Sequence, residues 1–285
     1  MSATLKGIAC IAGACAMLTL ADALAKLMTA TLPVMEIAFL RSVVALLPVL
    51  VIARFYGPLR QLATRHVGKQ LLRGGLIVAS YISFLLALSE LPLADTASVF
   101  FSAPLFIAAL SPIVLKEPVP LRRWFAICLG FAGVLVIMRP GTEAFRPEAL
   151  FALASAVLYA FGALLARRLG TLDPPSTTSF YTALAFLLAS GPFTLAVPGY
   201  WVDPAWPAIG YAVACGLIAG TAHFLLIQGY RLGEEAVVAP FEYTVLLWAV
   251  LFGFLFWGDL PQTLTLVGIA LVAASGLYVL RTERR

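Results

Sequence analysis

Apolar residues run through this chain in long blocks, and the polar residues gather in the short gaps between them. A helix needs about 20 mainly apolar residues to cross a bilayer. On that measure the sequence predicts ten spans, near residues 5–29, 34–54, 72–90, 93–115, 121–138, 148–168, 176–197, 205–229, 236–257 and 262–280. The longest gap, about 55–71, is too short for a soluble domain, and no segment is low in complexity.

The pattern occurs twice. A displacement of 141 residues lays Pro33 on Pro174, Phe39 on Phe180 and Gly75 on Gly216. A displacement of 142 lays Glu117 on Asp259 and Arg139 on Arg281. Five spans per copy is an odd number, so the second copy must sit upside down. The expected fold is an all-α integral membrane protein. Its ten transmembrane helices form two inverted five-helix repeats, residues 1–141 and 142–285, around a central cavity. Secondary transporters are often built this way, with the substrate site near the bilayer midplane between the repeats.

Charge supports the span count. With the N-terminus inside, the inner side holds Lys6, Arg54, Arg60, Arg65, Lys69, Arg73, Lys116, Arg122, Arg123, Arg167, Arg168, Arg231, Arg281, Arg284 and Arg285. That is 15 of the 19 Lys and Arg residues. Only Arg139 and Arg146 fall outside, while Lys26 and Arg41 lie within spans. Such a bias predicts that both termini are cytoplasmic. The loops also change sign with inversion: 55–71 is basic and its mate 198–204 has no Lys or Arg. Likewise 116–123 is basic, and 258–262 carries only Asp259. Trp124, Trp201, Trp206 and Trp257 fall at expected interfaces, where indoles anchor, and Trp248 alone falls mid-span.

Composition excludes a soluble protein. Hydrophobic residues make up 62% and charged residues 12%, against about 45–50% and about 25% in soluble domains. The net charge of +5 sits in loops, so it reads as a topology signal and not as a nucleic-acid surface. Cys10, Cys15, Cys128 and Cys215 all lie in apolar runs without metal spacing, where Cys acts as a small hydrophobe. Ala21-Asp22-Ala23 after Lys6 resembles a leader cleavage site, but cleavage would remove the first span and orphan its mate, the sixth. Small residues at Ala212, Gly216 and Gly220, at Ala126 and Gly130, and at Gly268 and Gly276 predict close helix packing.

Two stretches carry a family resemblance. The first half closes with Leu91-Pro-Leu-Ala-Asp-Thr-Ala, Pro104, Lys116-Glu117, Gly130-Phe-Ala-Gly133 and Arg139-Pro140. The second closes with Phe241-Glu-Tyr, Trp257-Gly-Asp-Leu-Pro261 and Gly276-Leu-Tyr. Over essentially the whole chain this resembles the EamA-type branch of the drug/metabolite transporter superfamily, with Asp259 where Glu is commoner. The resemblance implies a ten-helix basket with no ATP, metal or other cofactor. It also implies a small metabolite as cargo, such as an amino acid, riboflavin or S-adenosylmethionine.

Ionisable residues inside a bilayer are costly and are functional candidates by default. One group is Asp22 and Lys26 in the first span with Glu36 and Arg41 in the second. Asp22 and Lys26 are four apart and share a helix face, and equal depths predict an Asp22–Arg41 ion pair. This group reads either as a self-compensated network or as an outer gate or a clamp for a zwitterionic substrate. A second group pairs His223 with Glu242, as a titratable couple or an ammonium site. Pro48, Pro104, Pro112, Pro192 and Pro240 interrupt spans. Pro104 and Pro240 stand in corresponding spans and are expected to kink or hinge them, each by removing a backbone donor. Tyr81, Phe84, Phe101, Tyr159, Tyr243 and Trp248 are candidates to line a substrate site by stacking, with Trp248 the foremost.

The function expected is a secondary transporter moving a small amphipathic metabolite, an amino acid or similar, aromatic or flavin-like, by alternating access. The expected location is a plasma membrane of the bacterial inner-membrane kind. A non-transporting sensor or assembly protein stays open. An intramembrane enzyme fits poorly, because the 2 histidines are far apart and no phosphate loop or paired-acid motif appears. The expected partners are a small-molecule substrate and lipid, not nucleic acid. Substrate, direction, coupling and oligomeric state are left open by the sequence.

Overall fold

The structure, a computed structural model, describes all residues except 1, 2, 57, 58, 117, 118, 143, 170, 171, 233–237 and 283–285. Expectations resting on Glu117, Arg284, Arg285 and the first residues of the ninth span lie outside the described residues. The described residues form helices and short connections, without a strand. The first half holds α1 (Ala3–Thr29), α2 (Val34–Tyr56), a 3-10 turn (Leu59–Leu62) and α3 (Val67–Glu90). It continues with α4 (Leu93–Phe100), α5 (Ala103–Val114) and α6 (Leu121–Met138). The second half holds α7 (Ala149–Leu169), α8 (Pro175–Ala196) and α9 (Trp206–Leu232). It ends with a 3-10 turn (Ala239–Tyr243), α10 (Thr244–Trp257) and α11 (Thr263–Thr282).

Among the described residues, eight segments are long and apolar enough to cross a membrane, with α4 and α5 counted as one and the second 3-10 turn joined to α10. Trp124–Met138 and Thr263–Val279 are shorter apolar helices. The chain is therefore a multi-pass membrane protein. Segment ends agree with the hydropathy blocks except at α3, which starts at Val67 and not near 72. The added turn is polar and anchored. Thr64 Oγ1 accepts from the His66 backbone N–H at 2.9 Å, and Gln70 Nε2 donates to Asp173 at 2.8 Å.

The helices alternate in direction as expected. The α2–α3 loop meets Asp173, between α7 and α8, at the N-terminal end of α1. Arg139, after α6, meets Gln262 at the opposite end, and so does Glu36 of α2 with Val202. The most extensive contacts join helices from different halves: α1 with α9, α3 with α7, α2 with α8, and α6 with α11. The pairing is also reciprocal. If α1, α2 and α3 are exchanged for α7, α8 and α9, the pair α1–α9 becomes α7–α3, and α2–α9 becomes α8–α3. Likewise α1–α10 becomes α7 against α4 and α5, and all these contacts are present.

Small residues allow these approaches, because lipid supplies no hydrophobic drive and helices associate by close packing. A Cβ on Gly216 would stand 2.7 Å from the Val44 side chain, and one on Gly220 would overlap Pro48, so α9 lies directly on α2. A Cβ on Gly133 would come 3.0 Å from the Gly268 carbonyl oxygen, which places α6 and α11 backbone to backbone. Gly276 does not share that contact. It opens space for the ring of Tyr243.

A large apolar cluster closes the end of the bundle near Lys26. It joins Ala21, Ala25 and Met28 of α1 and Ala249 of α10 to Phe84 and Leu88 of α3 and Leu93 and Ala97 of α4. At the N-terminal end the buried clusters are separate. Ile11, Cys15 and Val238 form one, and Leu105, Ala108, Ala126, Ile127 and Val279 another. Among the described residues none of the buried apolar clusters there joins α1, α9 and α10 to α3 and α7.

Candidate functional site

The span of Pro104 is broken, while Pro240 stands at the start of the described part of its own span. α4 ends at Phe100, and α5 begins with Pro104 at its second position. Proline lacks the N–H that would close a bond to the Phe100 carbonyl four residues back. The chain re-forms around this gap: the Phe101 N–H donates to Ala97 at 2.9 Å and the Leu105 N–H to Ser102 at 2.9 Å. In the corresponding span, Pro240 opens a 3-10 turn before α10. The Cys15 thiol lies 3.6 Å from the Glu242 carbonyl and 3.9 Å from that of Phe241. Cys15 thus serves as a weak donor to the irregular backbone, beyond filling space.

The break and the turn bring four of the six candidate aromatics into one edge-to-face chain. Phe84 and Tyr159 each lie 5.4 Å from Phe100. Phe100 contacts Phe101 at 6.3 Å, and Phe101 contacts Tyr243 at 5.5 Å. Phe100 is the hub, and hydropathy gave no reason to single it out. Tyr81 stands apart, against Phe186 at 5.5 Å and beneath Arg41. Trp248 is elsewhere: it stacks on Phe252 at 6.0 Å and packs with Ile11 and Cys15 along the α1–α10 seam. That seam carries a shallow apolar groove lined by Ala12, Thr244, Leu247, Trp248 and Leu251.

The first ionisable group separates into three. Arg41 sits over the Tyr81 ring at 4.2 Å, and Asp22 acts on it only at longer range. The expected Asp22–Arg41 ion pair is not closed within 4 Å, because the guanidinium stacks on the tyrosine face instead. Lys26 turns away from Asp22. Its Nζ donates to the Leu91 carbonyl and lies 5.3 Å from the Trp257 ring. Asp95, Asp259 and Glu90 act on it electrostatically. Glu36, fully buried, accepts from the Val202 backbone N–H at 3.0 Å and ties the α8–α9 connection to α2.

The second group is also not a direct pair. His223 Nδ1 is 2.8 Å from the Ala219 carbonyl. A carbonyl only accepts, so that nitrogen carries the proton and Nε2 faces away. The charges that act on His223 are Arg41 and Arg73. Glu242 accepts from the Tyr230 hydroxyl at 2.6 Å, and its field reaches Tyr159 and Tyr243.

Arg73, counted with the inner-side charges, lies six residues inside α3, and its Nη1 donates to Thr182 of α8. The field of Tyr159 acts on it. The Gln70/Arg73 spacing of three, which puts two polar residues on one face, was the available signal. Arg41 and Arg73 act at longer range on His223, and Glu242 and Arg73 on Tyr159, so charges from α2, α3 and the second 3-10 turn bear on side chains of α9 and α7. His223 is exposed, and Tyr159 is 40% exposed although Phe100 and charged side chains surround it.

A multi-pass helical bundle with ionisable and aromatic side chains among its spans fits a class, the membrane transporters of small molecules. The sequence profile of the EamA-like transporter family matches residues 5–139 and again 146–281, and the chain belongs to that family. An S-adenosylmethionine uptake transporter of Rickettsia bellii (strain RML369-C) is 26% identical over 267 residues, covering 93% of this chain and 89% of its own length. A riboflavin transporter of Vibrio cholerae serotype O1 is 26% identical, covering 89% and 85%. The pseudopaline exporter CntI of Pseudomonas aeruginosa (strain UCBPP-PA14) is 27% identical, covering 92% of each. A solved crystal structure of a protein superposes with a TM-score of 0.65 over 99% of this chain and 98% of its own at 22% identity, which speaks for the fold alone. The family and these relatives are transporters, not enzymes.

Proposed function

We propose that the protein is a secondary transporter that moves a small amphipathic metabolite across a bacterial inner membrane by alternating access, with both termini cytoplasmic. The observation that carries this reading is the placement of Arg41, Arg73, His223 and Glu242. These ionisable side chains from both halves stand among the spans, where they are costly without a task. The reciprocal pairing of helices and the twice-matched family profile support two inverted repeats, 1–141 and 142–285.

The pairing also refines which parts move. Because α1 packs on α9 and α10, and α7 on α3, α4 and α5, the rocking units are these two groups, each mixing helices of both halves. They meet at the apolar cluster near Lys26. On this reading the form is closed at that end by the apolar cluster and takes its substrate from the N-terminal end. Lys26, reaching from α1 to the Leu91 carbonyl, serves as part of the outer gate, and the break at Pro104 and the turn at Pro240 serve as hinges. Relatives named for S-adenosylmethionine, riboflavin and pseudopaline support a metabolite as cargo without choosing one.

The test is counterflow in proteoliposomes with aromatic and other neutral amino acids, riboflavin and S-adenosylmethionine. Saturable uptake of at least one, accelerated by unlabelled compound on the far side, is expected. Folded protein that gives no saturable flux with any of them refutes the reading for this panel.

A further inference from the structure

We infer that Glu36 and Thr194, at the end of the bundle where α2 begins and α8 ends, form a site for a monovalent cation, either Na+ or an exchangeable proton. Glu36 stands in the first turn of α2 and is fully buried. Its Oε2 accepts from the Val202 backbone N–H at 3.0 Å, and its Oε1 is buried without a partner. Among the described residues Glu36 closes no ion pair within 4 Å. The charged group that acts on it is Asp203, another acid, whose Oδ1 accepts from the Trp201 indole N–H at 3.0 Å. A carboxylate out of water with only a like charge beside it is strongly disfavoured. A cation or a proton removes that cost.

A second buried polar group faces the same seam. Thr194 is fully buried, and its Oγ1 also has no partner. A Cβ on Gly191 would stand 3.2 Å from Phe39 Cε2, so α8 lies directly against α2 at that level. The two helices run in opposite directions, because Val202, just after α8, reaches the first turn of α2. Thr194 is three residues beyond Gly191, and Glu36 is three residues before Phe39. Each is therefore displaced about 4.5 Å from the Gly191–Phe39 contact in the same direction. Residues three apart share a helix face, so Glu36 and Thr194 meet the seam at one level.

The two unpartnered atoms are both oxygens, the ligands that hard cations take. They do not bond one another, which leaves room for an ion between them. A proton on Oε1 would neutralise the same charge and turn that oxygen into a donor for Thr194 Oγ1. The α8 helix ends two residues later at Ala196, and the negative end of its dipole favours a cation here. Neutralising Glu36 also alters the Val202 bond, which ties α2 to the α8–α9 connection.

The experiment uses purified protein in detergent, with Glu36→Gln and Thr194→Val. Melting temperature is read in NaCl and in choline chloride at equal ionic strength. The infrared carboxylic-acid band is read in Na+-free buffer as wild type minus Glu36→Gln. Bound Na+ should raise the wild-type melting temperature by a few degrees for each tenfold increase above its dissociation constant, and Glu36→Gln should abolish the rise. A bound proton should instead give a carboxylic-acid band that Glu36→Gln removes. One of these two signals is expected. If Glu36→Gln folds and removes neither, the gap holds at most a bridging water and the site is overturned. If Glu36→Gln does not fold, Thr194→Val carries the test. Loss of the Na+ response or a displaced acid band then supports the site, and no change in either overturns it. These are equilibrium readings without flux, so they stand or fall separately from the transporter reading, which counterflow tests.

Discussion

Gly276→Ala gives the sharpest test of how the interior is packed. A Cβ at this position would overlap the Tyr243 hydroxyl and stand 2.5 Å from its Cζ. Tyr243 is 8% exposed and its ring carries the 5.5 Å contact to Phe101, so it cannot step aside freely. Overpacking of this kind costs about 1–3 kcal/mol. Moving Tyr243 would also forfeit an aromatic contact worth about 0.5–1.5 kcal/mol. The substitution should therefore destabilise by about 1.5–4.5 kcal/mol. In a Tyr243→Ala background the obstruction is gone, and the better helix propensity of Ala should make Gly276→Ala neutral or stabilising by up to about 1 kcal/mol. Thermal unfolding in detergent, read for both single variants and the double variant, measures the coupling. Equal effects of Gly276→Ala in the two backgrounds would refute the placement of Tyr243 against α11, and with it the aromatic chain that runs from Tyr243 to Phe84.

Other outcomes follow from the same geometry. Burial raises the pKa of the Asp173 carboxyl, but donation from Gln70 and Thr64, with His66 3.9 Å away, outweighs it and holds the group below the ordinary carboxylate range. Its stabilising effect is then complete above about pH 4 and is lost as pH falls through the lowered value. Hydrogen exchange of residues 59–70 should accelerate in that acid window in the native protein and not in Asp173→Asn. Lys26→Met removes the bond to Leu91 and the Trp257 contact, the latter worth about 0.5–2 kcal/mol. With Cys215, fully buried in the cluster near Lys26, kept as the single cysteine, thiol labelling should become roughly tenfold faster. An unchanged rate would mean that Lys26 does not hold that end shut. Trp248→Phe should lower thermal stability while leaving substrate affinity unchanged in counterflow, because the indole packs on the α1–α10 seam. A clear loss of affinity would return Trp248 to the site.

Much of the fold was legible because a bilayer imposes a simple length rule, and apolar blocks answer to it directly. The break at Pro104 was legible for a similar reason, since a missing N–H acts locally whatever surrounds it. The site was harder. Arg73 fell at the edge of the predicted 72–90 span and was counted only as an inner-side charge, because a hydropathy window cannot see that its helix continues five residues past the apolar block, held there by Gln70 and Asp173. Asp22, Lys26, Glu36 and Arg41 were grouped by depth, but depth says nothing about azimuth, and azimuth sends each to a different neighbour. Trp248 was favoured because the other tryptophans had interfacial explanations, yet elimination of that kind does not choose a helix face. Phe100 was passed over beside Phe101, although the helix break turns both rings into the same chain.

The central claim is that α1, α9 and α10 rock against α3, α4, α5 and α7, opening the two ends in turn. The most direct measurement replaces Lys26 and Leu91 by cysteine in a background free of native cysteines and bridges them with a short thiol-specific cross-linker. Their native groups already meet across that boundary. Counterflow should stop when the bridge forms and return when a cleavable bridge is reduced, while substrate binding from the N-terminal end persists. Undiminished flux through protein bridged at this end would contradict alternating access by these units.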